Sequence, residues 1–181
     1  IGRARLHRAG QDTSQGRPLR EPPEQGGWQI AEASDRDLDE LMSWFHDAAE
    51  VDIWGGPRFR FPFTNATFRK DCHWGRMAGF RLNSPVGEFS AFGQMYQRYG
   101  RINLARLVVT PGMRGQGVGK RLVGLLMEMG PQLFPADEFS LFVYRHNAAA
   151  LGCYRSMGFV IRDYPEGARM ADQCYYLTRP A

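Results

Sequence analysis

Three glycines within five residues, Gly115, Gly117 and Gly119, stand between an apolar stretch, Leu104 to Val109, and an amphipathic stretch that ends near Met129. A strand that passes through such a turn straight into a helix leaves backbone N–H groups unpaired at the helix N-terminus, and glycine lets the chain turn sharply there. An anion in that concavity meets free donors and the positive end of the helix dipole. The segment Arg114-Gly115-Gln116-Gly117-Val118-Gly119 therefore reads as a phosphate-accepting loop inside a strand-and-helix fold.

Spacing decides which kind of loop it is. A Walker A loop ending in the Gly119-Lys120 pair needs Gly at position 114 and Ser or Thr at 121, where this chain has Arg114 and Arg121. A dinucleotide fingerprint starting at Gly115 and Gly117 needs a third Gly at the position of Lys120.

The surrounding pattern predicts a strand over Trp28–Ala33 and a helix capped by Ser34 that runs to Phe45, with Asp35 and Asp37 in its first turn. Residues 47–70 read as a short helix and loops carrying Trp54, Phe59, Phe61, Phe63 and Phe68. A hairpin of Trp74–Leu82 and Glu88–Gln97 turns at Asn83-Ser84-Pro85, and a strand follows over Arg101–Val109. The helix from Gly117 to Met129 puts Val118, Leu122, Leu125, Leu126 and Met129 on one stripe, with Gly130-Pro131 as its stop. Phe139–Tyr144 alternates as a strand, Ala148–Met157 is a short helix closed by Gly158, and Val160–Tyr164 and Cys174–Thr178 are the last strands.

Two blocks of this pattern resemble the GNAT superfamily of N-acetyltransferases. The first is Arg114 to Gly119, preceded by Leu107-Val108-Val109-Thr110-Pro111 and followed by Lys120-Arg121-Leu122-Val123, which matches the acetyl-CoA loop of that family. The second is strand, Asn147, helix, Tyr154, Gly158-Phe159. Asn147 and Tyr154 are seven residues apart, about two helical turns, so both look out from one helix face. Alone, each has an ordinary reading, Asn147 as a helix cap and Tyr154 as a half-buried tyrosine.

The resemblance covers roughly residues 28–179 and implies an α/β fold with a mixed, mostly antiparallel central sheet flanked by helices. It implies an acetyl-CoA-dependent N-acetyltransferase acting by direct attack of a primary amine, of a protein or a small molecule, in a ternary complex. The backbone of Leu107, Val108 and Val109 would bind the pantetheine arm, with the Val109 N–H on the thioester oxygen. Arg114, Gly115, Gln116, Gly117, Val118, Gly119 and Lys120 would take the pyrophosphate. Asn147 would hydrogen-bond the pantetheine, and Tyr154 would act as general acid toward the departing thiolate, a role suited to a phenol of ordinary pKa ~10. Trp54, Phe61 and Glu88 are candidates for the acceptor side.

The chain departs from the commoner family pattern at the base. Many relatives carry a Glu on the strand occupied here by Asn103, Leu104, Ala105 and Arg106, which offer no carboxylate. Glu88, Glu50, Asp52 and His146 are the alternatives, and none is singled out. The missing carboxylate also motivates a second reading, a non-catalytic acyl-CoA binding or sensing module.

Composition bounds the remaining classes. A chain of 181 residues with 43% hydrophobic content suits one globular domain with a core, here residues 28–181. Residues 1–27, rich in arginine, proline and glycine, read as a flexible tail or linker. With five of the 23 basic residues in that tail, 18 basic face 16 acidic residues elsewhere without a basic run, so no nucleic-acid partner is expected. No apolar run reaches the ~18 residues of a membrane span, and a cytoplasmic protein without a membrane partner is expected. Cys72, Cys153 and Cys174 and the four scattered histidines lack metal-ligand spacing, so no metal is expected. A sheet-edge homodimer would match what is common among similar proteins.

Overall fold

The computed structural model describes residues 24–181. Most of the segment read as a tail lies outside the described residues, and the described part begins four residues before Trp28 with a short strand, β1 (Glu24–Gln25), paired to β2 (Trp28–Glu32).

After β2 the chain turns at Ser34, whose N–H donates to Asp37 Oδ2 at 2.7 Å while the Asp37 N–H returns to Ser34 O at 2.9 Å. This closure starts a 3-10 turn at Asp35–Asp37 that leads into α1 (Leu38–Ser43). The segment expected to hold one short helix contains two. Asp47 caps α2 (Ala48–Gly55) by accepting the Glu50 N–H at 2.8 Å, and Thr64 caps α3 (Asn65–Asp71) by accepting the Thr67 N–H at 3.2 Å. Each cap satisfies a donor that the helix itself cannot, and the aromatic side chains supply the burial that short helices need.

Strands β3 (Ala78–Asn83), β4 (Phe89–Arg98) and β5 (Arg101–Val109) form an antiparallel meander. β3 begins four residues later than the hydrophobic pattern suggested. Trp74 is instead held off the sheet, its ring stacked on Phe92 at 5.7 Å and its Nε1 donating to Asp35 at 2.9 Å.

α4 (Val118–Leu133) follows the glycine turn and runs through Pro131 rather than stopping at Gly130. The reason is packing. A Cβ on Gly130 would lie 2.6 Å from the Phe139 ring, so the glycine is where the helix presses onto the sheet, and a proline in the last turn removes only one hydrogen bond there. β6 (Glu138–Tyr144), α5 (Ala148–Ser156), β7 (Val160–Arg162) and β8 (Cys174–Pro180) complete the described chain.

The eight strands lie in the order β1-β2-β3-β4-β5-β6-β8-β7, all neighbours antiparallel except β5 and β6. One sheet face carries Phe80, Met95, Ile102 and Leu104 beneath Leu122, Leu125 and Leu126 of α4. The other face packs Phe92 and Phe89 against Leu38, Leu41, Phe45, Val51, Phe59 and Phe68 of the α1–α3 region. Each fully buried side chain of this size contributes roughly 1.5–3 kcal/mol by its removal from water. The mixed, mostly antiparallel sheet flanked by helices is the architecture that the resemblance implied.

Two irregularities position the site. β5 and β6 pair only at Ile102–Phe139 and Asn103–Ser140, and beyond them the two strands have no further pairing. In the β4–β5 ladder, Phe92 faces Val108 but Gln94 faces Ala105, so Arg106 and Leu107 together oppose Gly93. Arg106 takes φ 49 in this bulge, which increases local twist and turns the end of β5 away from β6.

Candidate active site

The parting of β5 from β6 opens a cavity of about 1070 Å³. Its walls are β5 from Asn103 onward, one side of α5 from its Asn147 cap to Ser156, and Glu50, Ile53, Trp54 and Gly55 of α2 with Gly56 after it. The glycine loop closes one end, and Tyr96, Arg98 and Phe142 lie toward the other. A smaller cavity of about 160 Å³ opens between α4, α5 and β5, and Tyr154, Cys153 and Leu107 to Val109 line both.

At the loop, Gly117 is the N-cap of α4 with φ 81 and ψ 0, a left-handed conformation that side chains with a Cβ adopt at a cost. No side chain caps this helix, and a Cβ on Gly115 or Gly117 would meet nothing within 4 Å. The first turn of a 16-residue helix thus faces open space with its donors uncovered by side chains.

Along β5 the peptide groups alternate between the two strand edges. The Thr110 N–H is committed to Ser90 O on β4 at 2.9 Å, so the Val109 N–H belongs to the opposite edge, where β6 has moved away. The Val109 carbonyl on that edge accepts Arg114 Nε at 3.2 Å. The same guanidinium reaches Glu50 Oε1 at 3.2 Å. Glu50 Oε2 accepts the His46 N–H at 2.9 Å, and these two contacts, the His46 N–H foremost, hold its carboxyl below the usual range.

Asn147 caps α5, its Oδ1 accepting the Ala150 N–H at 3.1 Å, which leaves its amide NH2 for the cavity. Tyr154, two turns further on, lies with its ring 6.1 Å from Phe159, and burial pushes its phenol above the ordinary value, with Cys153 adding to the shift. Tyr144 at the end of β6 donates to Asp52 Oδ1 at 3.3 Å and is pushed up to about 12, first by burial and then by Asp52.

Leu107, Val108, Val109, Arg114, Gly115, Gly117, Gly119, Lys120, Asn147, Tyr154 and Trp54 all line the larger cavity. Gln116 and Val118 do not. The Gln116 amide turns back to Gly112 O at 3.0 Å, and the Val118 side chain is buried in the core. Phe61 sits exposed against Phe63, and Glu88 lies exposed at the β3–β4 turn, both away from the cavity. Of the other base candidates, Glu50 lines the cavity, Asp52 touches it through Tyr144, and His146 is exposed with its ring 5.1 Å from that of Tyr144.

Several lining residues had no signal in the sequence reading. Arg98 lay just past the expected strand Glu88–Gln97, Tyr144 was a strand end, and Arg169 and Met170 lay between strands. Among the described residues, no three His, Cys, Asp or Glu side chains are gathered as a metal site requires, and no helix is long and apolar enough to cross a membrane.

A splayed β5–β6 pair, a glycine loop capping α4 and a tyrosine-bearing helix across the gap define an acyl-CoA N-acyltransferase type of fold. The chain belongs to the GNAT acetyltransferase family, whose model matches residues 38–159. It is 24% identical over 96 residues to a spermine/spermidine N(1)-acetyltransferase of Bacillus subtilis (strain 168), a match that takes in 50% of this chain and 62% of the relative. The chain therefore spans less than two thirds of that curated relative.

Among solved structures, the fold is similar to the spermidine N-acetyltransferase of Vibrio cholerae in complex with CoA and spermine, with TM-score 0.67 and 12% identity over 86% of this chain and 96% of that one. It is also similar to the ribosomal-protein-S18-alanine N-acetyltransferase of Escherichia coli, with TM-score 0.55 and 23% identity over 84% and 93%. These likenesses establish the fold.

Proposed function

We propose that the protein transfers the acetyl group of acetyl-CoA to a primary amine by direct attack in a ternary complex. One observation carries this reading. The Val109 N–H lies on the open edge of β5, between the glycine loop at one end and Tyr154 across the gap. A donor on an unpaired strand edge beside an anion-accepting helix terminus fits a ligand with a phosphate at one end and a carbonyl at the other.

The residues present fit acetyl-CoA, which would supply an activated acyl carbon and a sulfur leaving group. The α4 terminus and Lys120 would hold its phosphates, and Asn147 would donate to the pantetheine arm. The Val109 N–H would stabilise negative charge on the thioester oxygen as the amine attacks. Glu50 is, among the described residues, the carboxylate that lines the cavity, and in this reading it takes the proton the amine must lose. Tyr154 is protonated across the neutral range, as an unperturbed phenol is and as burial further favours, and in this reading it donates as the carbon–sulfur bond breaks.

Spermine and spermidine, the acceptors in two of the relatives' names, are polycations. Here Arg98, Arg106, Arg114, Lys120 and Arg169 line the cavity against Glu50 alone, so that acceptor class finds no support in this site.

The test is release of CoA thiol from acetyl-CoA across a panel of amino-terminal peptides, lysine peptides and small amines. Turnover with one acceptor class supports the reading. Calorimetric binding of acetyl-CoA without turnover of any amine counts against it and in favour of a sensing module.

A further inference from the structure

We infer that the acceptor is an elongated primary amine carrying an anionic group, a carboxylate or phosphate, at the end remote from its nitrogen, and that Arg98 and Arg169 read that group. The inference deepens the acetyl-transfer reading of the same cavity and rests on it.

Five cations and one carboxylate line this cavity. Arg114 and Lys120 lie at the glycine-loop end, and Arg114 is already paired with Glu50. Arg98, Arg106 and Arg169 remain, and among the described residues none of the three has a carboxylate within 4.0 Å. Arg106 is held in the β5 bulge by neutral acceptors, Gln94 Oε1 at 2.8 Å and Asp71 O at 3.2 Å, and its Nε is buried without a partner. A guanidinium set in a wall with no counter-charge makes that region attractive to anions and repulsive to cations.

Arg98 supplies the directional contact. Its guanidinium lies 4.7 Å from the centroid of Phe142 and 4.9 Å from that of Tyr99, with phenol oxygens as its polar neighbours, Tyr99 at 3.3 Å and Tyr96 at 3.5 Å. Stacking on two rings fixes the planar fork and leaves donors for a carboxylate or phosphate. Arg169 and Met170 line the same cavity from the segment between β7 and β8, where Tyr164, its ring 5.4 Å from that of Phe142, donates to Arg169 O at 2.6 Å.

Arg98 does not serve the phosphates of acetyl-CoA. Arg98 pairs with Arg101 at the start of β5, whereas the glycine loop follows Val109 at its end, and eight residues of strand span roughly 25 Å at about 3.3 Å per residue. Tyr144, Trp54 and Ile53 also line the cavity, a mainly apolar and aromatic lining suited to a spacer. An amine at the open edge of β5 and an anion near Arg98 must therefore be joined by an extended linker.

The test uses a ladder of ω-amino carboxylates of increasing chain length, with the ω-aminoalkyl phosphate, the n-alkylamine and the α,ω-diamine of each length as controls. Acetyl transfer is followed with the whole chain and with Arg98→Gln and Arg169→Gln. At the matching length, the anionic amine should exceed its alkylamine by on the order of tenfold or more in kcat/KM, with the diamine poorest. The two variants should shrink that preference through KM while leaving acetyl-CoA binding and alkylamine turnover in place. The carboxylate and phosphate arms identify the source of the anion. Equal or better turnover of the diamine, or a preference unchanged in both variants, would overturn the inference.

The N-acetylated products of the ladder are titrated by calorimetry in parallel, with CoA present. Absence of turnover with every amine counts against acetyl transfer alone, provided the anionic products still bind more tightly and lose that advantage in Arg98→Gln. Equal binding of anionic and cationic products overturns the anion-reading groove.

Discussion

Glu50 on α2 and Arg114 at the head of the glycine loop form an ion pair, with Oε1 and Nη1 3.2 Å apart. Because Arg114 Nε also donates to Val109 O at 3.2 Å, one side chain ties α2, the open edge of β5 and the loop together. The group proposed to accept the amine proton is thus held beside the group proposed to bind the thioester oxygen.

Replacing Glu50 with Gln should lower kcat/KM by on the order of a hundredfold or more, with activity recovering as pH rises and the amine loses its proton to solvent. A pH–rate profile of the variant parallel to that of the parent would remove Glu50 from the role of base.

The same residue sets an acid-stability difference. The His46 N–H and then Arg114 depress the Glu50 pKa below its ordinary 4.5, so the folded state favours the ionised form. That stabilisation is present above about pH 4.5 and is lost as pH falls through the lower folded value. Glu50→Gln should therefore melt below the parent at neutral pH, and the gap should close as the medium is acidified through that range. Thermal melts across pH would show a constant gap if the pairing does not stabilise the fold.

Tyr154→Phe should reduce kcat by on the order of a hundredfold while leaving the affinity for acetyl-CoA unchanged, because the ring remains and only the proton donor is lost. The measurement is single-turnover acetyl transfer beside calorimetric binding. A fall in affinity equal to the fall in rate would make Tyr154 a binding residue instead.

Gly117→Ala puts a Cβ on a residue with φ 81, at a cost of about 1–2 kcal/mol. Relaxing that strain would move the α4 terminus, so acetyl-CoA affinity should fall by on the order of tenfold, read by calorimetry against folded-state stability.

Gly130→Ala sets two effects against each other. Alanine is the better helix former by about 1 kcal/mol, but its Cβ would lie 2.6 Å from the Phe139 ring and 3.2 Å from Ile102 Cδ1. Overpacking of a closed core costs about 1–3 kcal/mol, so net destabilisation is expected in urea unfolding. A more stable variant would show that the helix can lift from the sheet at little cost.

The sequence by itself determined the parts of this protein that local chemistry dictates. The glycines of the 114–119 loop, the apolar alternation of β5, the stripe of leucines on α4 and the Asn147 cap were legible because each depends on neighbours within a turn or two along the chain. The end of α4 misled for the same reason. Gly130-Pro131 is a sound local stop signal, and only the distant Phe139 ring shows that the glycine serves close packing.

Tertiary structure alone decided what faces the cavity. Hydrophobic periodicity reports which side of an element is buried and not what lies opposite. Glu50 and Arg114, 64 residues apart, meet because α2 packs over the sheet face from which β5 diverges. Arg98 and Arg169, from segments far apart in the chain, line one cavity, while Phe61 and Glu88, equally plausible as a string of letters, are turned away from it. The bulge at Arg106 and the two-residue pairing of β5 with β6 set that geometry, and both arise from register between strands rather than from any single segment.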